Sequence, residues 1–205
     1  MEKIDLKKVY KNLYQSSTKE PSLVEAPEFQ IFSVQGEGNP NTSVDFKNAV
    51  ETLFPVAFKA KFICKKELQK DYVVMPLEGL WWTDDMNCFS QDNKDIWKWK
   101  IFIIQPDFIT KEIFERAKEE AAKKKDLPAL ERVTFEKIEE GLSAQILHIG
   151  SYDNEKTTIE KLHTFIKDKG YSFDGLIQKH HEIYLSDMRK TAPEKLKTIL
   201  RQPVK

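Results

Sequence analysis

Apolar residues along the chain recur with two different periods. "FQIFSVQ" (29–35) is a short β-rich run ended by Gly36 and the turn cluster "GEGNPN". Phe46, Val50, Leu53, Phe54, Ala57, Phe58 and Phe62 then fall at intervals of three and four, the stripe of an amphipathic helix that Pro55 is expected to kink or divide. "DYVVMPLEGLWW" (71–82) and "DIWKWKIFIIQP" (95–106) predict a strand pair joined by a polar loop. Thr110 is placed to cap a helix running to Ala121, with Ile113, Phe114 and Ala117 inside. The lysines at 123–125 suit its solvated C-terminal end.

The second half has the same order. Strands are predicted at 132–139 and 142–150 around the Glu140–Gly141 turn, then a helix carrying Ile159, Leu162, Phe165 and Ile166. Strands at 176–186 and 198–204 complete it. Each half reads strand, helix, strand, strand, so the chain divides into two repeats, about 29–125 and 130–205, behind a polar leader, 1–28. Laying "MPLEGLWW" on "KHHEIYLS" aligns Glu78 with Glu182. Alternation along a strand puts His180, Glu182 and Tyr184 on one face, and Glu78 with Leu80 and Trp82 on one face. Pairing of the units about a pseudo-twofold axis would turn both glutamates into one cleft. Trp97 and Trp99 share a face with Ile101 and Ile103, in the core or on the cleft.

The 205 residues are 40% apolar, enough for a core, and Lys+Arg equals Asp+Glu at 33 each. A balanced charge argues against a protein that grips phosphate backbones. Two cysteines, Cys64 and Cys88, form no disulfide framework or metal spacing. With no signal-like N-terminus and no long apolar run, the expectation is a cytoplasmic protein without membrane contact, metal or cofactor. Adjacent strand histidines point to opposite faces, so "HHE" is not a metal motif. A carboxylate among aromatic rings can instead balance a cationic ligand, act as an acid or base after desolvation, or sit in water at the sheet rim.

"GEGNPN", "MPLEGLWW", "QPDF", "LHIGSYDNE" and "HHEIYLSDMRKTAPEKLKTILRQPV", in that order, resemble the GyrI-like small-molecule-binding family from about residue 28 to 204. The resemblance implies an α+β fold of two β-α-β-β units around a sheet-lined groove for planar aromatic or cationic small molecules. Stand-alone members include hydrolases that open the cyclopropane of cyclopropanoid genotoxins of the yatakemycin and duocarmycin class. Others bind lipophilic cations or inhibit gyrase, and all three activities remain open here. The family's groove glutamate falls on Glu182 and its first-half glutamate on Glu78. Tyr152 falls near the groove, and Met188 stands where relatives usually have proline. On the hydrolase alternative, Glu182 activates water with Glu78 as second carboxylate, and Tyr184 or Tyr152 donates to the substrate carbonyl. Trp82, with Trp97 or Trp99, clamps the ligand, and His180 lies beside them. About 28 residues ahead of the domain are too few for the DNA-binding module of related activators, so no direct DNA binding is expected.

Overall fold

A computed structural model describes residues 3–205. Eight strands form one antiparallel sheet: β2 (Ser22–Ala26), β3 (Phe29–Glu37), β5 (Glu78–Trp82), β6 (Lys98–Gln105), β7 (Thr134–Ile138), β8 (Gly141–Ile149), β9 (His180–Tyr184) and β10 (Lys197–Pro203). Their spatial order is β2-β8-β10-β9-β5-β6-β3-β7. With α3 (Val44–Ile63) and α5 (Lys156–Asp168), the two repeats are β3-α3-β5-β6 and β8-α5-β9-β10. Their innermost strands, β5 and β9, meet at the centre of the sheet, and the order on either side is mirrored, as a pseudo-twofold axis demands.

The helices pack on one face. Phe46 of α3 lies edge-on to Trp99, with ring centroids 5.1 Å apart. Leu162 and Ile166 of α5 bury against Ala144, Ile146 and Leu200. Helix α4 (Lys111–Ala122), capped by Thr110, whose hydroxyl accepts from the Ile113 amide at 3.3 Å, packs beside α3. Pro55 does not divide α3. A proline deletes one backbone bond of the helix, and the burial of Leu53, Val56 and Ala57 around it holds the remaining turns against the sheet. The extended run at 71–82 is broken: β4 (Asp71–Tyr72) pairs in parallel with β1 (Lys3–Ile4) outside the main sheet.

The leader lies on the other face. After α1 (Leu6–Val9) and α2 (Lys11–Tyr14), β2 adds an edge strand to β8. Leu13 and Tyr14 are buried. Among the described residues no helix is long and apolar enough to cross a membrane.

Candidate active site between the helices

Cross-strand partners in an antiparallel ladder share a face. Glu182 stands opposite Gly79 of β5 and Leu200 of β10, so it points to the helical side. On that side it is surrounded by His180 and Tyr184 of its own strand and by Trp81 of β5. The Trp81 indole N–H donates to the Tyr184 hydroxyl at 3.0 Å, and that hydroxyl donates to Glu182 Oε2 at 2.7 Å. His180 Nε2 lies 3.4 Å from Glu182 Oε1. Glu182 retains 8% exposure, so its carboxylate is desolvated but reachable.

Gly79 makes this cluster possible. A Cβ there would sit 2.9 Å from Trp81 Nε1 and 3.4 Å from the Tyr184 hydroxyl oxygen. Gly79→Ala is therefore expected to push the indole aside and break the relay to Glu182. A lower ligand affinity with a blue- or red-shifted tryptophan emission, in a protein that still melts cooperatively, is the expected result. An unchanged emission spectrum would sink this account of the glycine.

The third wall comes from the turn between β8 and α5. Tyr152 meets Tyr184 edge-on, with centroids 5.9 Å apart. Burial first, and then the Glu182 charge, push both tyrosine hydroxyls above their ordinary value, so each keeps its proton. Glu155, just before α5, is 2% exposed. Burial, reinforced by Glu182, raises its carboxyl well above the carboxylate range, against the opposing pull of Lys94. A cavity of about 280 Å³ opens beside Tyr152 and is lined also by Ser151, Leu196 and Met188. Met188 thus stands at the cavity wall. A larger polar cavity, about 570 Å³, lies on the opposite face by Ser33, Lys100 and Glu136 and includes none of the groove residues.

Glu78 does not share the cleft with Glu182. It pairs with Ile183, one residue out of step, and so points to the face covered by the leader. It is fully buried, accepting from the Tyr14 hydroxyl at 2.8 Å and lying 3.0 Å from His181 Nε2. Trp82 goes with it to that face and carries Lys179 over its ring at 4.9 Å. The sequence alignment of the two glutamates was one residue out of register with the folded sheet. Trp97 and Trp99 do lie on the helical side. Trp99 is fully buried, whereas Trp97 stacks on Phe89 at 4.5 Å and meets Trp81 edge-on at 5.7 Å. Two groove residues escaped the sequence reading. Trp81 has the alternation that assigns it, one place from Trp82, but only the pairing of β5 with β9 says which face holds Glu182. Glu155 sits inside the "GSYDNE" segment, where polarity suggests a solvated turn.

Among the described residues no group of three or more His, Cys, Asp or Glu is arranged to hold a metal ion. The Glu182 carboxylate, two phenols and two indoles come together on the helical side of the sheet, with the Tyr184 hydroxyl donating to the carboxylate.

The fold recurs in known proteins. An uncharacterized conserved protein from Listeria innocua is 41% identical, with a TM-score of 0.91, over 99% of this chain and 100% of its own. A hydrolase from Listeria innocua is 40% identical, with a TM-score of 0.87 and the same coverage. The C-terminal domain of EcmrR, 14% identical, shares the fold with a TM-score of 0.56 over 91% of this chain and 97% of its own. No curated protein matches the sequence. The model of the GyrI-like small molecule binding domain matches residues 19–205, and the chain belongs to that family.

Proposed function

We propose that this chain is a hydrolase that opens the cyclopropane ring of cyclopropanoid genotoxins by adding water. The observation that carries the proposal is Glu182: a buried carboxylate held by Tyr184 on one oxygen and approached by His180 on the other, among aromatic rings and next to the cavity at Tyr152. Similarity over the full chain to a hydrolase from Listeria innocua supports the same reaction type.

In the proposed reaction Glu182 takes a proton from water as the water oxygen bonds to the least hindered ring carbon. The ring C–C bond breaks, and its electron pair moves through the dienone to the carbonyl oxygen as a phenolate, which takes a proton from solvent as Glu182 releases its own, so the net change is the addition of one water. The single Tyr184 hydrogen is already given to Glu182. We assign the hydrogen-bond donor to the carbonyl oxygen to Tyr152, because it lines the cavity. Glu155, whose carboxyl is raised by burial and then by Glu182, is the second carboxyl near the site. Trp81 and Trp97, set edge-on to one another, form the angled aromatic wall for the ligand, and Trp82 and Glu78 take no part in it.

Incubating the purified protein with a cyclopropanoid and following the mixture by mass spectrometry tests the proposal. The expected product is the substrate plus one water, formed in proportion to enzyme. Saturable binding of cationic aromatic dyes with no water adduct would overturn it and favour a groove that only sequesters lipophilic cations, with Glu182 as counter-charge.

Glu78→Gln separates the two glutamates. The substitution sets an amide against the His181 N–H inside a sealed network and is expected to cost about 3 kcal/mol of stability. Turnover per folded molecule should remain within about twofold of the parent, since Glu78 points to the opposite face of the sheet from Glu182. A selective loss of kcat in a fully folded E78Q protein would return Glu78 to the chemistry.

A further inference from the structure

We propose that Gln202 is a positioning residue, whose amide fixes His180 with its proton on Nε2, directed at Glu182. Gln202 lies on β10 on the same face as Leu200 and is 1% exposed. Its amide nitrogen is 3.0 Å from His163 Nε2 and 3.2 Å from His180 Nδ1. An amide NH2 has two hydrogens, and here two imidazole nitrogens stand ready to accept one each. A neutral ring that accepts at Nδ1 carries its hydrogen at Nε2. In His180 that nitrogen is buried and faces Glu182 Oε1 at 3.4 Å.

The amide as it stands leaves Gln202 Oε1 buried without a partner, but the opposite orientation makes a worse contact at Glu182. It would place Gln202 Oε1 between the rings and require a hydrogen on His180 Nδ1. A neutral His180 would then present a lone pair to the Glu182 carboxylate, with a repulsive contact in a site that excludes water. Burial also holds His163 below the ordinary histidine value, which favours the neutral ring that accepts from Gln202. The consequence is a carboxylate approached from two sides. The Tyr184 hydroxyl donates to Oε2, and His180 Nε2, which has no other hydrogen-bond partner, lies 3.4 Å from Oε1, so Glu182 is bracketed before ligand arrives. The chain from His163 on α5 to Glu182 thus ties the helix of the second repeat to the buried carboxylate.

Long-range proton–nitrogen spectra of histidine-labelled protein read the tautomer directly, with the His180 signals identified by their loss in His180→Gln. The expected pattern in the parent is an unprotonated Nδ1 and a protonated Nε2. Gln202→Leu should show a mixture of tautomers at His180. In the hydrolysis proposed above, the same variant should lose about tenfold in kcat with KM within about twofold, the size of effect typical of groups that orient a functional ligand. An Nδ1–H ring or a doubly protonated ring in the parent would overturn the proposal, as would an unchanged kcat in Q202L with turnover present. The kinetic arm rests on the hydrolase reading and the spectral arm does not. A parent protein with the expected tautomer but no water adduct sinks the hydrolase reading alone, because the spectrum is recorded on the protein without substrate.

Discussion

Glu182→Gln is expected to lower turnover of a cyclopropanoid by about 10²–10⁴-fold, the range supplied by a positioned general base, while leaving affinity for the planar ligand within a few-fold. Glutamine keeps the shape of the side chain and one carbonyl oxygen. That oxygen can still accept the Tyr184 hydroxyl, now 2.7 Å from Oε2, so the wall of the groove survives. The amide cannot take a proton from water. Equilibrium dialysis or fluorescence quenching of Trp81 and Trp97 gives the affinity, and mass spectrometry gives the rate on the same sample. A variant that hydrolyses at the parent rate removes Glu182 from the chemistry. A variant that no longer binds makes it a counter-charge instead. Tyr152→Phe is the companion measurement: it removes the proposed donor to the carbonyl oxygen and should cost about 10²-fold in kcat.

Arg201→Met is expected to lower stability by about 3–5 kcal/mol, the penalty for stranding one member of a buried ion cluster. For a chain of this size that is a fall in Tm on the order of 10 °C. Arg201 is 1% exposed. It bonds Glu140 at 3.1 Å, Gln145 at 3.1 Å and the Leu13 carbonyl at 2.8 Å. Glu140 in turn accepts from His181 at 2.9 Å, and His181 reaches Glu78, which accepts from Tyr14. The cluster thus fastens the leader to the underside of β9, directly behind Glu182.

Its titration gives the pH dependence. Burial favours neutral Glu140, yet the charges of His181 and Arg201 outweigh it and lower the carboxyl to about 2. Its contribution is present above the ordinary carboxylate value and is lost as pH falls through about 2. Burial likewise works against a charged His181, but Glu140 and then Glu78 raise it to about 9. A raised histidine stabilises fully below its unfolded value, about 6.5, and that contribution is lost as pH rises through about 9. Melting curves taken across pH should show a plateau in mildly acidic solution and a decline above neutrality. In R201M the carboxyl of Glu140 rises, so the acid-side decline begins at higher pH. A melting temperature that is flat across the alkaline range would rule out a charged His181 in the folded protein.

The local patterns in the sequence were sufficient for the repeat and for one face of one strand. Period-two alternation is a property of the extended backbone, so His180, Glu182 and Tyr184 had to share a side as soon as 180–184 formed a strand. The three- and four-residue stripe of α3 and the Thr110 cap of α4 are local in the same sense. Register between strands is different, since a slip of one residue exchanges every partner and every face. The pairing of Glu78 with Ile183, and of Gly79 with Glu182, is decided by hydrogen bonds between segments about a hundred residues apart and by which side chains bury together. That pairing sent Glu78 and Trp82 beneath the leader and brought Trp81 to the groove. Burial of Glu155 also depends on tertiary contact, because desolvation comes from neighbours that adjoin it only after folding. The sequence by itself determined the two β-α-β-β units and the carboxylate of "HHEIYLS". Only the tertiary structure decided which residues stand around that carboxylate, because the sheet fixes its faces through long-range pairing rather than through the order of residues along any one strand.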